Sequence, residues 1–81
     1  MTYQSIIFDK KIFNKDQIKS YMDRNIFNQY EAIIETQSVI RFRLKKRDTK
    51  NFEYKTFQKE KGITVILELP NTKIYAFSNN E

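Results

Sequence analysis

The sequence predicts an α+β fold: a single two-layer domain with one helix packed on a mainly antiparallel β-sheet, in the order β-α-β-β-β-β-β. Three observations predict it. Eighty-one residues make one small domain, because a core of this size cannot be divided and stay folded. One segment, after Asn14, has helical apolar spacing behind a capping signature, whereas the later segments alternate with period two. At 40% hydrophobic and 15% aromatic residues the chain is too apolar for a disordered tail, and one Gly with one Pro excludes linker-like readings. Residues 1–81 are therefore read as one basic domain, with 77–81 a frayed tail.

The opening segment reads as a strand. Tyr3, Ser5 and Ile7 alternate with Gln4, Ile6 and Phe8, apolar on both faces near the end, as a central strand requires. Asp9-Lys10-Lys11 breaks the run. Asn14 is then a good N-cap, Gln17 can close a capping box, and Phe13 with Ile18 forms a hydrophobic staple. Lys15 to about Arg24 is helical, with Ile18, Tyr21 and Met22 on one stripe and Asn25 as a left-handed stop. Ile26 and Phe27 are expected to fold back onto the sheet.

Tyr30–Glu35 and Val39–Lys45 follow as a hairpin. Placing Tyr30, Ala32 and Ile34 on the face of Ile40, Phe42 and Leu44 needs the three-residue loop Thr36-Gln37-Ser38. That register sets Ile34 opposite Ile40, Ala32 opposite Phe42, Glu31 opposite Arg43 and Ile33 opposite Arg41. It also puts Glu35 on a diagonal from Arg41. A short strand is expected near Asn51–Phe57, then a loop from Gln58 to Gly62, with positive φ at the glycine. Ile63, Val65, Leu67 and Leu69 line one face of the best strand. Pro70-Asn71-Thr72 turns into a last strand, Lys73–Phe77.

The chemistry excludes more than it offers. With no Cys and no His there is no disulfide framework, no zinc site and no imidazole or thiol for catalysis. A single Gly cannot build a phosphate-cradling loop. Glu31 and Glu35 share a strand face but stand roughly 13 Å apart, too far to share a proton or a metal. No catalytic residue, metal or cofactor is expected, and the chain reads as a non-enzyme. No apolar run approaches the roughly 20 residues of a membrane span. MTYQSIIFDKK lacks the order of a signal peptide, so a soluble intracellular protein with no membrane partner is expected.

Charge is the informative feature. Nine basic residues fall between Arg41 and Lys61 (Arg41, Arg43, Lys45, Lys46, Arg47, Lys50, Lys55, Lys59 and Lys61). Only Asp48, Glu53 and Glu60 offset them, giving +6, while the rest of the chain carries six basic against seven acidic residues. Phe52, Tyr54 and Phe57 interleave with this run. Cations that track phosphates beside rings that stack on bases suit nucleic acid, single strands above all, so these nine residues and Tyr54 are the candidate binding set. The plainer reading is a solvated basic face. In it Arg43 and Arg41 pair with Glu31 and Glu35, Lys59 and Lys61 keep a hairpin loop soluble, and Phe52 or Phe57 belongs to the core. An acidic protein partner is the third reading. A fourth is pairing, with a partner or a second copy, through an unpaired strand edge, for which Lys73–Phe77 with Tyr75 and Phe77 is the candidate.

The segments IIFDKKIFNKDQIKSYM, VIRFRLKKRDTKNFEYKTF and GITVILELP resemble a short domain of tailed bacteriophages and large DNA viruses, also found N-terminal to XkdF-like phage prohead serine proteases. The resemblance covers about residues 5 to 70. Arg41, Phe42 and Arg43 match its Arg-Phe-Arg element, Arg47, Asp48 and Phe52 its turn, and Gly62 and Ile63 its closing strand. Thr49 stands where that family usually has Pro, and Glu68 where Gly is common. The resemblance implies a phage or viral source, a role around the virion or genome handling, and a place in the host cytoplasm or the virion. No protease residue carries over. The alternative function it leaves open is a protein-interaction module, serving virion assembly or inhibiting a host protein.

Overall fold

The computed structural model describes residues 2–25, 27 and 29–71. Its elements are β1 (Thr2–Asp9), α1 (Lys15–Arg24), β2 (Ala32–Glu35), β3 (Val39–Arg43), β4 (Phe52–Glu60) and β5 (Ile63–Pro70). The five strands form one antiparallel sheet in the order β2-β3-β1-β5-β4, so this is a small α+β domain with β1 at its centre. The proposed strand Lys73–Phe77, the tail, Thr72 and Ile26 lie outside the described residues.

Two faces follow from the registers. On one face, Phe42 of β3, Ile6 of β1 and Val65 of β5 stand in line, and Ile40, Phe8 and Ile63 form the next row. These side chains are buried together with Ile18, Tyr21 and Met22, so the apolar stripe of α1 belongs to the same core. Phe8 is its hub, meeting the rings of Phe13, Tyr21 and Phe42 edge-on with centroids 5.8, 5.4 and 5.9 Å away. The Phe27 ring lies 5.6 Å from that of Tyr3, so this residue does return to the core.

The helix begins where its cap dictates. Gln17 N–H donates to Asn14 Oδ1 at 2.8 Å, and Asn14 N–H donates to Gln17 Oε1 at 2.9 Å. Its end differs from expectation. Asn25 sits at φ −99°, not in the left-handed region, and stops the helix by a side-chain device: its Nδ2 donates to Tyr21 O at 2.9 Å.

Three further expectations are corrected. In β1 a bulge at Gln4 shifts the alternation, so that Tyr3 pairs with Leu67 and joins the face of Ile6 and Phe8. In the β2–β3 hairpin the register is one residue away from the expected one: Ile34 faces Arg41, Ile33 faces Phe42, and Ala32 faces Arg43. Turn chemistry decides this. Thr36 N–H donates to Val39 O, and Thr36 Oγ1 accepts from the N–H groups of Ser38 and Val39, which closes the loop over Gln37 and Ser38 alone. Glu31 still reaches Arg43 from before the strand, with 3.8 Å between the charged groups, but Glu35 pairs with Lys10 and Lys15 on the helix side and not with Arg41. Finally, β4 runs on to Glu60, so Lys59 lies in a strand and not in a loop.

Gly62 closes that shorter turn at φ +84°, as expected. A Cβ there would sit 2.8 Å from Phe13 Cε2 and 3.0 Å from Ile12, so the glycine also lets the β1–α1 connection pack down. Gly62→Ala should therefore destabilise the domain by roughly 1–2 kcal/mol from backbone strain alone, with the close contact added. Asn14→Ala should cost about 1 kcal/mol through the lost cap. Urea denaturation of both variants checks this; a Gly62→Ala curve lying on the parent's would mean that the turn is built differently.

Candidate nucleic-acid interface

The face opposite the Phe8 core is crossed by three rows. The first runs Ile34, Arg41, Ile7, Thr64 and Gln58 from one edge to the other. The second runs Ala32, Arg43, Ser5, Ile66 and Thr56. In the third, Lys45 reaches Thr2, which pairs with Glu68, which pairs with Tyr54. Period-two alternation along β3 thus places Arg41 and Arg43 on this face while Ile40 and Phe42 enter the core.

Arg41 is fixed by neutral groups. Its Nε donates to Ser5 Oγ at 3.2 Å, and an Nη approaches Gln4 Oε1 at 3.5 Å. Gln4 and Ser5 are fully buried, and Ser5 Oγ donates to Gln4 Oε1 at 2.7 Å. Neutral acceptors orient the guanidinium without cancelling its charge. Arg43 has Glu31 at 3.8 Å, and its Nε–H is buried with no hydrogen-bond partner among the described residues.

Glu68 organises the third row. It is 5% exposed, and it accepts from Lys45 Nζ at 2.6 Å and from Tyr54 Oη–H at 2.8 Å. Burial pushes its carboxyl toward the neutral form, but the hydrogen bonds from Lys45 and Tyr54 and the Lys45 charge outweigh that and hold its pKa below the ordinary glutamate value. Burial, with Glu68 as acceptor, pushes the Tyr54 phenol up. The same phenol oxygen accepts from Asp48 N–H at 2.6 Å, and Arg47 covers the ring with its guanidinium carbon 4.6 Å from the centroid. Lys46 and Lys50 are exposed in the connection that crosses this end of the sheet from β3 to β4.

The structure therefore gathers Arg41, Arg43, Lys45, Arg47 and Tyr54, with Lys46 and Lys50 beside them, and separates the other three. Lys55 pairs with Leu67 and so belongs to the helix side. Lys59 reaches over the rings of Tyr3 and Tyr21, 5.6 and 5.5 Å from their centroids, and its hydrogen bond to Tyr21 raises its pKa. Lys61 lies in the β4–β5 turn, at the opposite end of the sheet from Lys45. Neither Phe52 nor Phe57 belongs to the core: the first is half-buried, the second 43% exposed. Gln4, Ser5 and Glu68 are the participants that sequence reasoning missed. A glutamate inside the apolar run of β5 was the one visible signal.

Among the described residues no helix is long and apolar enough to cross a membrane, and no three carboxylates come together as a metal site. The lowered Glu68 pKa gives a pH prediction with a definite sign. Its stabilising contribution is complete above the unfolded-state value, about 4.3, and is lost as pH falls through the lower folded value. Glu35, held down first by its hydrogen bond from Lys10, acts in the same direction. Glu68→Gln should be less stable than the parent near neutrality and lose less stability on acidification to about pH 3.5. Parallel urea-derived curves for the two proteins over that range would show that Glu68 is not a charged clamp. Compared with known protein families, curated proteins and solved structures, the chain shows no match.

Proposed function

We propose that this is a two-layer, non-enzymatic module that binds nucleic acid non-specifically through the helix-free face of its sheet. One observation carries the reading. Arg41 is held by the neutral Ser5 and Gln4, in line with Arg43 on β3, Lys45 just beyond that strand reaches Thr2 and Glu68, and the Arg47–Tyr54 pair stands at the corner of the same face. Alternate residues along β3 are about 7 Å apart, a repeat comparable to that of phosphates on an extended single strand. The Arg47 guanidinium, 4.6 Å from the Tyr54 ring centroid, is placed beside a ring where a base could stack. Lys46 and Lys50 extend the cationic track; Lys55, Lys59 and Lys61 are outside it. On the family resemblance, we place the protein among phage or viral accessory proteins, in the host cytoplasm or the virion. The second reading, a protein-interaction module for virion assembly or for a host target, is favoured by the apolar residues exposed at β2.

Fluorescence anisotropy with single- and double-stranded oligonucleotides at two salt concentrations tests the proposal. Log affinity should fall with log salt by roughly 0.7–0.9 for each phosphate contacted. Arg47→Glu should weaken binding about tenfold or more, and Lys61→Glu distinctly less, since only Arg47 stands on the proposed surface. No binding tighter than about 100 μM at low salt would remove the reading.

A further inference from the structure

The two outer strands of the sheet are unlike. The β4 edge carries the protections usual for an exposed strand: lysines at Lys55 and Lys59, and a bulge between Gln58 and Glu60. The β2 edge is short, four residues, and its Glu35 carries Lys10 and Lys15, but it has no lysine and no bulge of its own. Ala32–Glu35 contains no Pro either, and among the described residues three of the five large apolar side chains left exposed lie on or beside it. These are Tyr30 at 43%, Ile33 at 50% and Ile34 at 42%. The edge also borders a groove of about 320 Å³ against α1, with apolar walls that include Ile33, Ile40 and Phe42 and with the charged Lys15, Lys19, Asp23 and Glu35 also lining it.

We propose that β2 is a self-association edge, where the β2 of a second copy adds antiparallel and centred on Ile34. Symmetry and charge select this occupant and this register. Two identical strands pairing antiparallel are related by a two-fold axis normal to the sheet, which keeps both helices on one side. Each residue must then meet one of its own face. Centring on Ile33 would set Glu31 against the second copy's Glu35, and centring on Glu35 would set that carboxylate against its own copy, both repulsive. Centring on Ile34 pairs Ile34 with itself, Ile33 with Glu35 and Ala32 with Thr36. It engages all four residues of β2 with no like charges opposed.

The pairing buries both Ile34 side chains on the helix-free face and closes the open side of Ile33. Arg41 lies directly beside Ile34, so the two Arg41 side chains would stand three strand spacings apart, roughly 14 Å, on one continuous sheet. The contact is small, so the association is weak and visible only at high concentration.

Sedimentation equilibrium of the whole chain, from about 10 μM to 1 mM, tests this. The mass should rise from 9.9 kDa toward twice that value. Ile34→Lys should hold the protein at monomer mass, and Phe57→Lys on the opposite edge should leave the association unchanged, with circular dichroism confirming that both are folded. Hydrogen exchange of the unsubstituted protein gives an independent readout: the β2 amides not bonded to β3 should gain protection as concentration rises. Monomer mass throughout, dissociation by Phe57→Lys with Ile34→Lys still dimeric, or β2 exchange independent of concentration would each overturn the proposal.

Discussion

The Glu68 carboxylate lies almost wholly out of water and accepts from Lys45 at 2.6 Å and from Tyr54 at 2.8 Å. One negative charge thereby ties the segment just after β3 to β5 and β4, across the β1 strand between them. Removing either donor would leave a buried carboxylate under-satisfied, which costs more than the net gain of an ordinary hydrogen bond. Because Tyr54 is fixed by Glu68 and by Asp48 N–H, its ring is a stationary support on which Arg47 rests. The position of the whole basic corner follows from this clamp.

The second constraint is the alternation of β3. Ile40 and Phe42 enter a core centred on Phe8, and this obliges Arg41 and Arg43 to emerge on the opposite face. Packing and charge presentation are therefore one requirement. A one-residue slip of β3 against β1 would bury both arginines and expose two large apolar side chains. The Gln4 bulge adds to this by burying a polar pair, Gln4 and Ser5, beneath Arg41. The guanidinium is thus oriented by groups that do not neutralise it, an arrangement suited to meeting an anion from outside.

Much of this was legible in the residues. The helix and its cap are local signals, Gly62 is the chain's single glycine, and the core residues of β3 and β5 recur at every second position. What was hidden has physical causes. A bulge is a single extra residue with no compositional trace, so the shift at Gln4 was invisible. In β2 both Ile33 and Ile34 are apolar, so the pattern could not choose a face, and the Thr36 hydroxyl settled the register through the turn. Charge counted along the chain also ignores which side of a sheet a residue takes. Nine cations in one run can form one patch only if they share a face, whereas the register sends Lys55 and Lys59 to the helix side and Lys61 to the far end.

The helix-free face is proposed as the nucleic-acid surface. Backbone and side-chain chemical-shift mapping by NMR, during titration with a short single-stranded oligonucleotide at low salt, tests it most directly. The largest shifts should fall on Arg41, Arg43, Lys45, Arg47 and Tyr54, with Lys55, Lys59 and the helix from Lys15 to Arg24 little changed. Shifts centred on the helix side, or none at a saturating concentration, would contradict it.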